Sequence, residues 1–209
     1  MSAAVAILDY GAGNLTSVAC AIRHLGREPL VTQDPAEVRA AGRVIFPGVG
    51  AAGAAMENLR RLQLDRAIQD VFESGRAVLG ICVGYQVVLE RSEEDQGTDC
   101  LGILNGTVKR FRFAQGIVRK IPHMGWNEVN FQNRHPVFRD LPEKSQFYFV
   151  HSYYPVPDDA ALIQGTAVYG GVRFAAAIAY RNLAAVQFHP EKSGRPGLRI
   201  LENFLSWRP

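Results

Sequence analysis

One cysteine and one His-Pro-Glu tripeptide carry the chemistry this sequence can do. Cys82 lies in the run AVLGICVGYQVVL (residues 77–89), where a buried-strand pattern gives way to the apolar face of a helix. A thiol held at such a turn is lifted clear of the backbone, and the first N–H groups of the helix favour its thiolate. Glycines at 80 and 84 are expected to keep the neighbouring faces open to a substrate. A buried structural cysteine would show the same letters, because free cysteine is among the most buried residue types. A thiol near its free pKa of about 8.5 is mostly protonated at neutral pH and needs a base. His189 can be that base. Glu191, just past Pro190, can hold the imidazole in the useful tautomer if both lie on one side of an extended piece. His151, in VHSYYP (150–155), is the rival base. PGVG (47–50) is either a tight turn or a nest of N–H groups for an anionic oxygen.

These residues need a scaffold that brings distant strand ends together. Residues 4–14 read as a buried strand running into a glycine turn, with Asn14 capping a helix over 15–25. A strand at 29–32, a short helix at 34–41 begun by Asp34 and Pro35, a strand at 43–46 and a helix over 57–75 follow. Cys82 then ends a fourth strand. This alternation predicts an α/β fold, an open and mostly parallel central sheet flanked by helices, with further strands in the second half. Sites in such sheets lie at the carboxyl ends of the strands, so the 47–50 turn and Cys82 share a crevice. Residues 92–99 read as a polar loop, and 101–111 and 116–126 as extended pieces. Strands are predicted at 147–154, 163–169, 173–181 and 184–188, the last interrupted only by Gln187, with a proline-bounded break at 155–159. An amphipathic helix over 198–207 closes the chain.

The 209 residues, 47% of them hydrophobic, are read as one domain with one substantial core. No apolar run reaches the roughly 18 residues of a membrane span. Three cysteines without a C-x-x-C or Cys/His cluster suit a reducing, cytoplasmic setting and suggest no metal site. A balance of 23 basic against 20 acidic residues is no nucleic-acid signature. Lys109, Arg110, Arg112, Arg119 and Lys120 form either a solvated face or a patch for a partner.

Taken together, GICVGYQ (80–86), HPE (189–191) and PGVG (47–50) resemble the triad-type, class I glutamine amidotransferases. With DYGAGN (9–14), IPHMGWN (121–127), YFVHSYY (148–154) and QFHPEKSG (187–194), the likeness narrows to the glutaminase subunits of imidazole glycerol phosphate synthase, over essentially residues 1–209. That resemblance implies a flavodoxin-like fold and no cofactor. It makes Cys82 the nucleophile toward the glutamine carboxamide, His189 its base and then the acid for ammonia, and Glu191 the residue that orients His189. It places the oxyanion at Gly48, Val49, Gly50 and the N–H of Val83, and the substrate at Gly50, Gln86, His151, Ser152 and Tyr153. Asn14, Pro122, His123, Met124, Gly125, Trp126 and Tyr148 fall toward the partner, a (β/α)8 cyclase subunit that receives the ammonia and, with its ribonucleotide, stimulates the glutaminase. Tyr85 stands where that family usually has methionine, and is expected to alter the side of the glutamine pocket or its packing. Other amidotransferase glutaminases, a stand-alone cysteine hydrolase and a silent partner-binding subunit are the alternatives.

Overall fold

The computed structural model describes residues 4–11, 13–132, 135–142 and 144–209. Its first half alternates strands and helices as expected: β1 (Val5–Leu8), α1 (Leu15–His24), β2 (Pro29–Thr32), α2 (Pro35–Ala40), β3 (Arg43–Phe46), α3 (Ala52–Arg61), α4 (Leu64–Glu73) and β4 (Ala77–Ile81). Asn14 and Asp34 cap α1 and α2 by accepting from the N–H groups of Ser17 and Ala36. The helix expected over 57–75 is two helices, broken at Gln63 in a left-handed conformation. Leu59 and Leu64 are both fully buried, yet five residues apart they fall on different helical faces. The break resets the phase so that both reach the core.

A four-residue helix α5 (Val83–Gln86) follows Cys82. It stops there because the carbonyls of Val87, Val88 and Leu89 accept from the N–H groups of Leu101, Leu104 and Gly102. The run 87–89, expected to continue as a helix face, is a buried turn. Within the polar segment expected to be a loop, β5 (Arg91–Ser92) and β6 (Thr98–Asp99) form a small hairpin. The second half contributes β7 (Gly106–Arg110), β8 (His123–Glu128), β9 (Asn130–Phe131), β10 (Gln146–His151), β11 (Tyr153–Pro157), β12 (Ile163–Tyr169), β13 (Val172–Tyr180) and β14 (Leu183–Val186), and α6 (Gly194–Ser206) ends the order.

The main sheet runs β2-β1-β3-β4-β14-β13-β12-β9. Its first five strands are parallel and the remainder antiparallel. The parallel part has the flavodoxin-like order 2-1-3-4-5, with β14 as the fifth strand. β14 therefore lies directly beside β4, with Val186 opposite Ile81. Two smaller sheets, β11-β7-β5-β6 and β10-β8, lie apart from it.

The strand expected at 147–154 is cut at Ser152, so that β10 and β11 join different sheets. Pro155 and Pro157, expected to interrupt the chain, lie within β11. That strand is at an edge, where a missing N–H breaks no ladder. Helix α6 begins earlier than expected, at Gly194, with Pro196 in its first turn. Its far end is held by Arg43, whose guanidinium donates to the carbonyls of Phe204 (2.6 Å) and Trp207 (3.1 Å). Among the described residues no helix is long and apolar enough to cross a membrane.

Candidate active site

Cys82 takes the last position of the β4 ladder, donating its N–H to the carbonyl of Val186 (2.8 Å), and the chain then turns abruptly into α5. Its φ of 55° and ψ of −108° are values a non-glycine residue rarely adopts. The neighbouring glycines explain how the turn fits. A Cβ on Gly84 would collide with the carbonyl of Phe46, and one on Gly80 would press on Gly84 and Ala185. Expected to clear space for a substrate, they instead let α5 pack directly onto β3 and β4.

His189 comes from beyond the end of β14, the strand next to β4. Its Nδ1 and the Oε1 of Glu191 are 2.8 Å apart, and both side chains are almost entirely buried. The pair does not lie on an extended piece. Pro190–Lys192 is a 3-10 turn, held by Ser193, whose hydroxyl donates to the His189 carbonyl (2.6 Å) and accepts from the Tyr148 N–H (3.0 Å). Burial by itself would lower the His189 pKa, but its interactions with Cys82 and with Glu191 outweigh it and raise the pKa above the ordinary value. The site thus favours an imidazolium beside the sulfur, as a thiol nucleophile requires.

The rival base is arranged differently. His151 Nδ1 donates to the Tyr153 carbonyl (2.7 Å) and its Nε2 faces Nδ1 of His123 (2.9 Å). Both ring nitrogens are engaged, and burial pushes its pKa down to about 3. His151 has no free nitrogen with which to take the proton of Cys82.

Beside Cys82 lies a cavity of about 260 Å³, lined by Val49, Gly50, Val83, Gln86 and residues 151–153. Gly48 is buried, and a Cβ there would collide with the hydroxyl of Tyr10 and crowd Val83. Gly50 is exposed with φ +93°, and neither it nor Val49 donates its N–H to a described residue. Gln86 spends its amide N–H groups inside the protein, on the Tyr153 carbonyl and on Gln187 Oε1 (3.0 Å each), and so offers the cavity an acceptor. Tyr85, expected to alter the side of the pocket or its packing, is fully buried and does not line the cavity.

The cavity also holds Glu94, which the sequence reading missed. Its Oε2 accepts the N–H of Ala52 at the start of α3 (2.7 Å). Burial pushes its carboxyl above the ordinary carboxylate range, against the pull of that hydrogen bond. No local pattern marks this residue, because the β5–β6 hairpin is what carries it to the cavity mouth.

Of the residues expected toward a partner, Met124 and Trp126 are well exposed, at 62% and 56%. Pro122 and Asn14 are exposed, while Gly125 and Tyr148 are half-buried. His123 departs from the expectation. It is buried beneath that face, between the rings of Phe149 and Tyr169, because alternation along β8 turns it inward while its neighbours Pro122 and Met124 are exposed.

A cysteine, imidazole and carboxylate at adjacent strand ends of a flavodoxin-like sheet define a class of amide-cleaving enzymes. The chain matches the model for Glutamine amidotransferase class-I over residues 6–207, and it belongs to that family. It is 48% identical over 207 residues to the imidazole glycerol phosphate synthase subunit HisH of Pseudomonas putida, covering 97% of each chain. The HisH subunit of Aromatoleum aromaticum is 49% identical over 215 residues, covering 98% of this chain and 99% of that one. Among solved structures, PurLQS from Thermotoga maritima superposes with a TM-score of 0.71 at 18% identity, covering 98% of both chains. A glutamine amidotransferase of the same organism gives 0.65 at 16%, covering 97% of this chain and 82% of that one. These likenesses agree with the α/β fold described above.

Proposed function

We propose that this chain is the glutaminase subunit of an imidazole glycerol phosphate synthase, hydrolysing L-glutamine and passing the ammonia to a cyclase subunit in histidine biosynthesis. The observation that carries the reading is the buried His189–Glu191 pair delivered by β14 to the sulfur at the end of β4, with an open cavity beside it. The thiolate of Cys82 attacks the side-chain carboxamide, and the carbonyl electrons move onto oxygen. The N–H of Val83 and one from residues 48–50 receive that oxyanion. Collapse breaks the C–N bond, His189 gives its proton to the departing ammonia, and a glutamyl thioester remains. A water deprotonated by His189 then releases glutamate. Glu94 offers the substrate's α-ammonium a carboxylate, and Gln86, His151, Ser152 and Tyr153 line the same cavity.

The exposed apolar stretch at Ile117, Val118, Ile121, Met124 and Trp126 suits a docked partner. The unpinned peptide at 48–50 gives that partner something to control. A single missing oxyanion donor costs about 10²- to 10³-fold in rate. The test is glutamate release by the purified chain, with and without the cyclase subunit and its ribonucleotide ligand. Slow release alone and strong stimulation in the ternary mixture are expected. Full-rate release by the isolated chain would overturn the gating, and no release in any mixture would overturn the glutaminase.

A further inference from the structure

Gln187 is the one polar interruption of an otherwise apolar strand, and no role in the mechanism above uses it. Its side chain is fully buried. It stands just past the end of β14, two residues before His189. Its Nε2 lies 3.7 Å from the Cys82 sulfur, within hydrogen-bonding reach of that large, soft acceptor.

Which end of the amide faces the sulfur follows from donor and acceptor counting. The Tyr153 carbonyl can only accept. It faces Gln86 Nε2 and His151 Nδ1, so Gln86 must turn its NH₂ group that way. The second N–H of that group goes to Gln187 Oε1 (3.0 Å). Gln187 is then left with its own NH₂ toward Cys82. The same carbonyl fixes the other branch. His151 carries its hydrogen on Nδ1, so Nε2 accepts from Nδ1–H of His123, and Nε2 of His123 accepts from Asn127 Nδ2 (3.3 Å). Reversing the Gln187 amide would set two NH₂ groups against each other at Gln86 and point the Gln187 oxygen at the sulfur. Burial of the two histidines, which keeps both neutral, preserves the pattern.

Resting on the glutaminase reading above, we propose that Gln187 is a positioning residue for the nucleophile, its amide N–H stabilising and aiming the Cys82 thiolate, with Gln86 and the Tyr153 carbonyl holding that amide in the donating sense. A hydrogen bond to the charged form of a group favours that form.

The test is the pH dependence of iodoacetamide alkylation at Cys82 in the full chain, followed on its own peptide by mass spectrometry because Cys20 and Cys100 are also free thiols. Gln187→Met keeps the length and removes the donor. Its alkylation midpoint is expected to move up by about one pH unit, corresponding to a tenfold smaller thiolate fraction. In the stimulated complex kcat near neutral pH should fall about tenfold at little-changed KM and recover as the pH is raised. Gln86→Met, which frees the Gln187 amide to reverse, should shift the midpoint in the same direction. Should Gln187→Met fail to fold, Gln86→Met decides by the same readout. A profile superimposable on that of the unsubstituted protein would overturn the assignment. Cys82→Ala separates this from the underlying reading: continued glutamate release by that variant complex would remove the nucleophile itself, whatever Gln187 does.

Discussion

Tyr85 takes a hydroxyl group into the core without a hydrogen-bond partner among the described residues, and burial holds its pKa well above the ordinary phenol value. An orphaned buried polar group costs about 1–3 kcal/mol. Tyr85→Phe is therefore expected to raise the unfolding free energy by about 1 kcal/mol with glutaminase activity unchanged, as read from urea denaturation. A loss of stability would mean that the hydroxyl is satisfied after all. At the site, Cys82→Ala and His189→Ala should both abolish glutamine-dependent synthesis while leaving synthesis from added ammonia intact. Glu191→Ala should be about 100-fold milder, because an orienting carboxylate is worth less than the nucleophile or base it serves. Equal losses from all three in steady-state kcat would place Glu191 in the chemistry itself. Cys82, His189 and Glu191 were legible in the sequence because each brings a reactive group inside a short, recognisable stretch. Glu94 and Gln187 were not, since a carboxylate in a polar loop and an amide in a strand acquire meaning only from what the fold sets beside them.

Among the secondary elements, β1 to β4 and β12 to β14 were readable from apolar runs, and β1, β3, β4 and β14 are covered on both faces. What escaped was decided by contacts between elements: the reset at Gln63, the early stop of α5 where residues 101–104 take its would-be carbonyls, and the prolines tolerated because β11 is an edge. The tie between β3 and α6 belongs to the same kind. Arg43 is half-buried, and burial lowers its pKa, yet its guanidinium joins two carbonyls at the end of a helix more than 150 residues away. Arg43→Met should cost about 1.5–3 kcal/mol, the worth of hydrogen bonds to a charged group. Hydrogen exchange should show the loss first as fraying of the last turn of α6, and unchanged protection there would refute the role given to Arg43.

The whole molecule carries an acid sensitivity written in its buried imidazoles. Burial lowers the pKa values of His123 and His135 to about 4 and of His151 to about 3. Between these values and the ordinary 6.5 the unfolded chain binds protons that the folded chain refuses, so stability falls as the pH drops below about 6.5 and is indifferent to these groups above it. For the deeply buried His151 the full slope is about 1.4 kcal/mol per pH unit. His189 has the opposite sign. Its raised pKa contributes stability that is complete below about pH 6.5 and is lost as the pH climbs through the folded value. Urea midpoints at pH 7 and pH 5 should therefore differ, the lower pH being weaker, and equal midpoints would mean that the buried imidazoles are not held neutral. The placement of β14 against β4 reaches beyond equilibrium. Residue 186 follows residue 81 by about a hundred residues, a span that takes a ribosome about 5–20 s to synthesise. For that interval the emerging polypeptide carries its thiol with neither imidazole nor amide beside it. A product released too soon has no amidase power and keeps a raw strand edge where β14 belongs, which marks it for aggregation or removal.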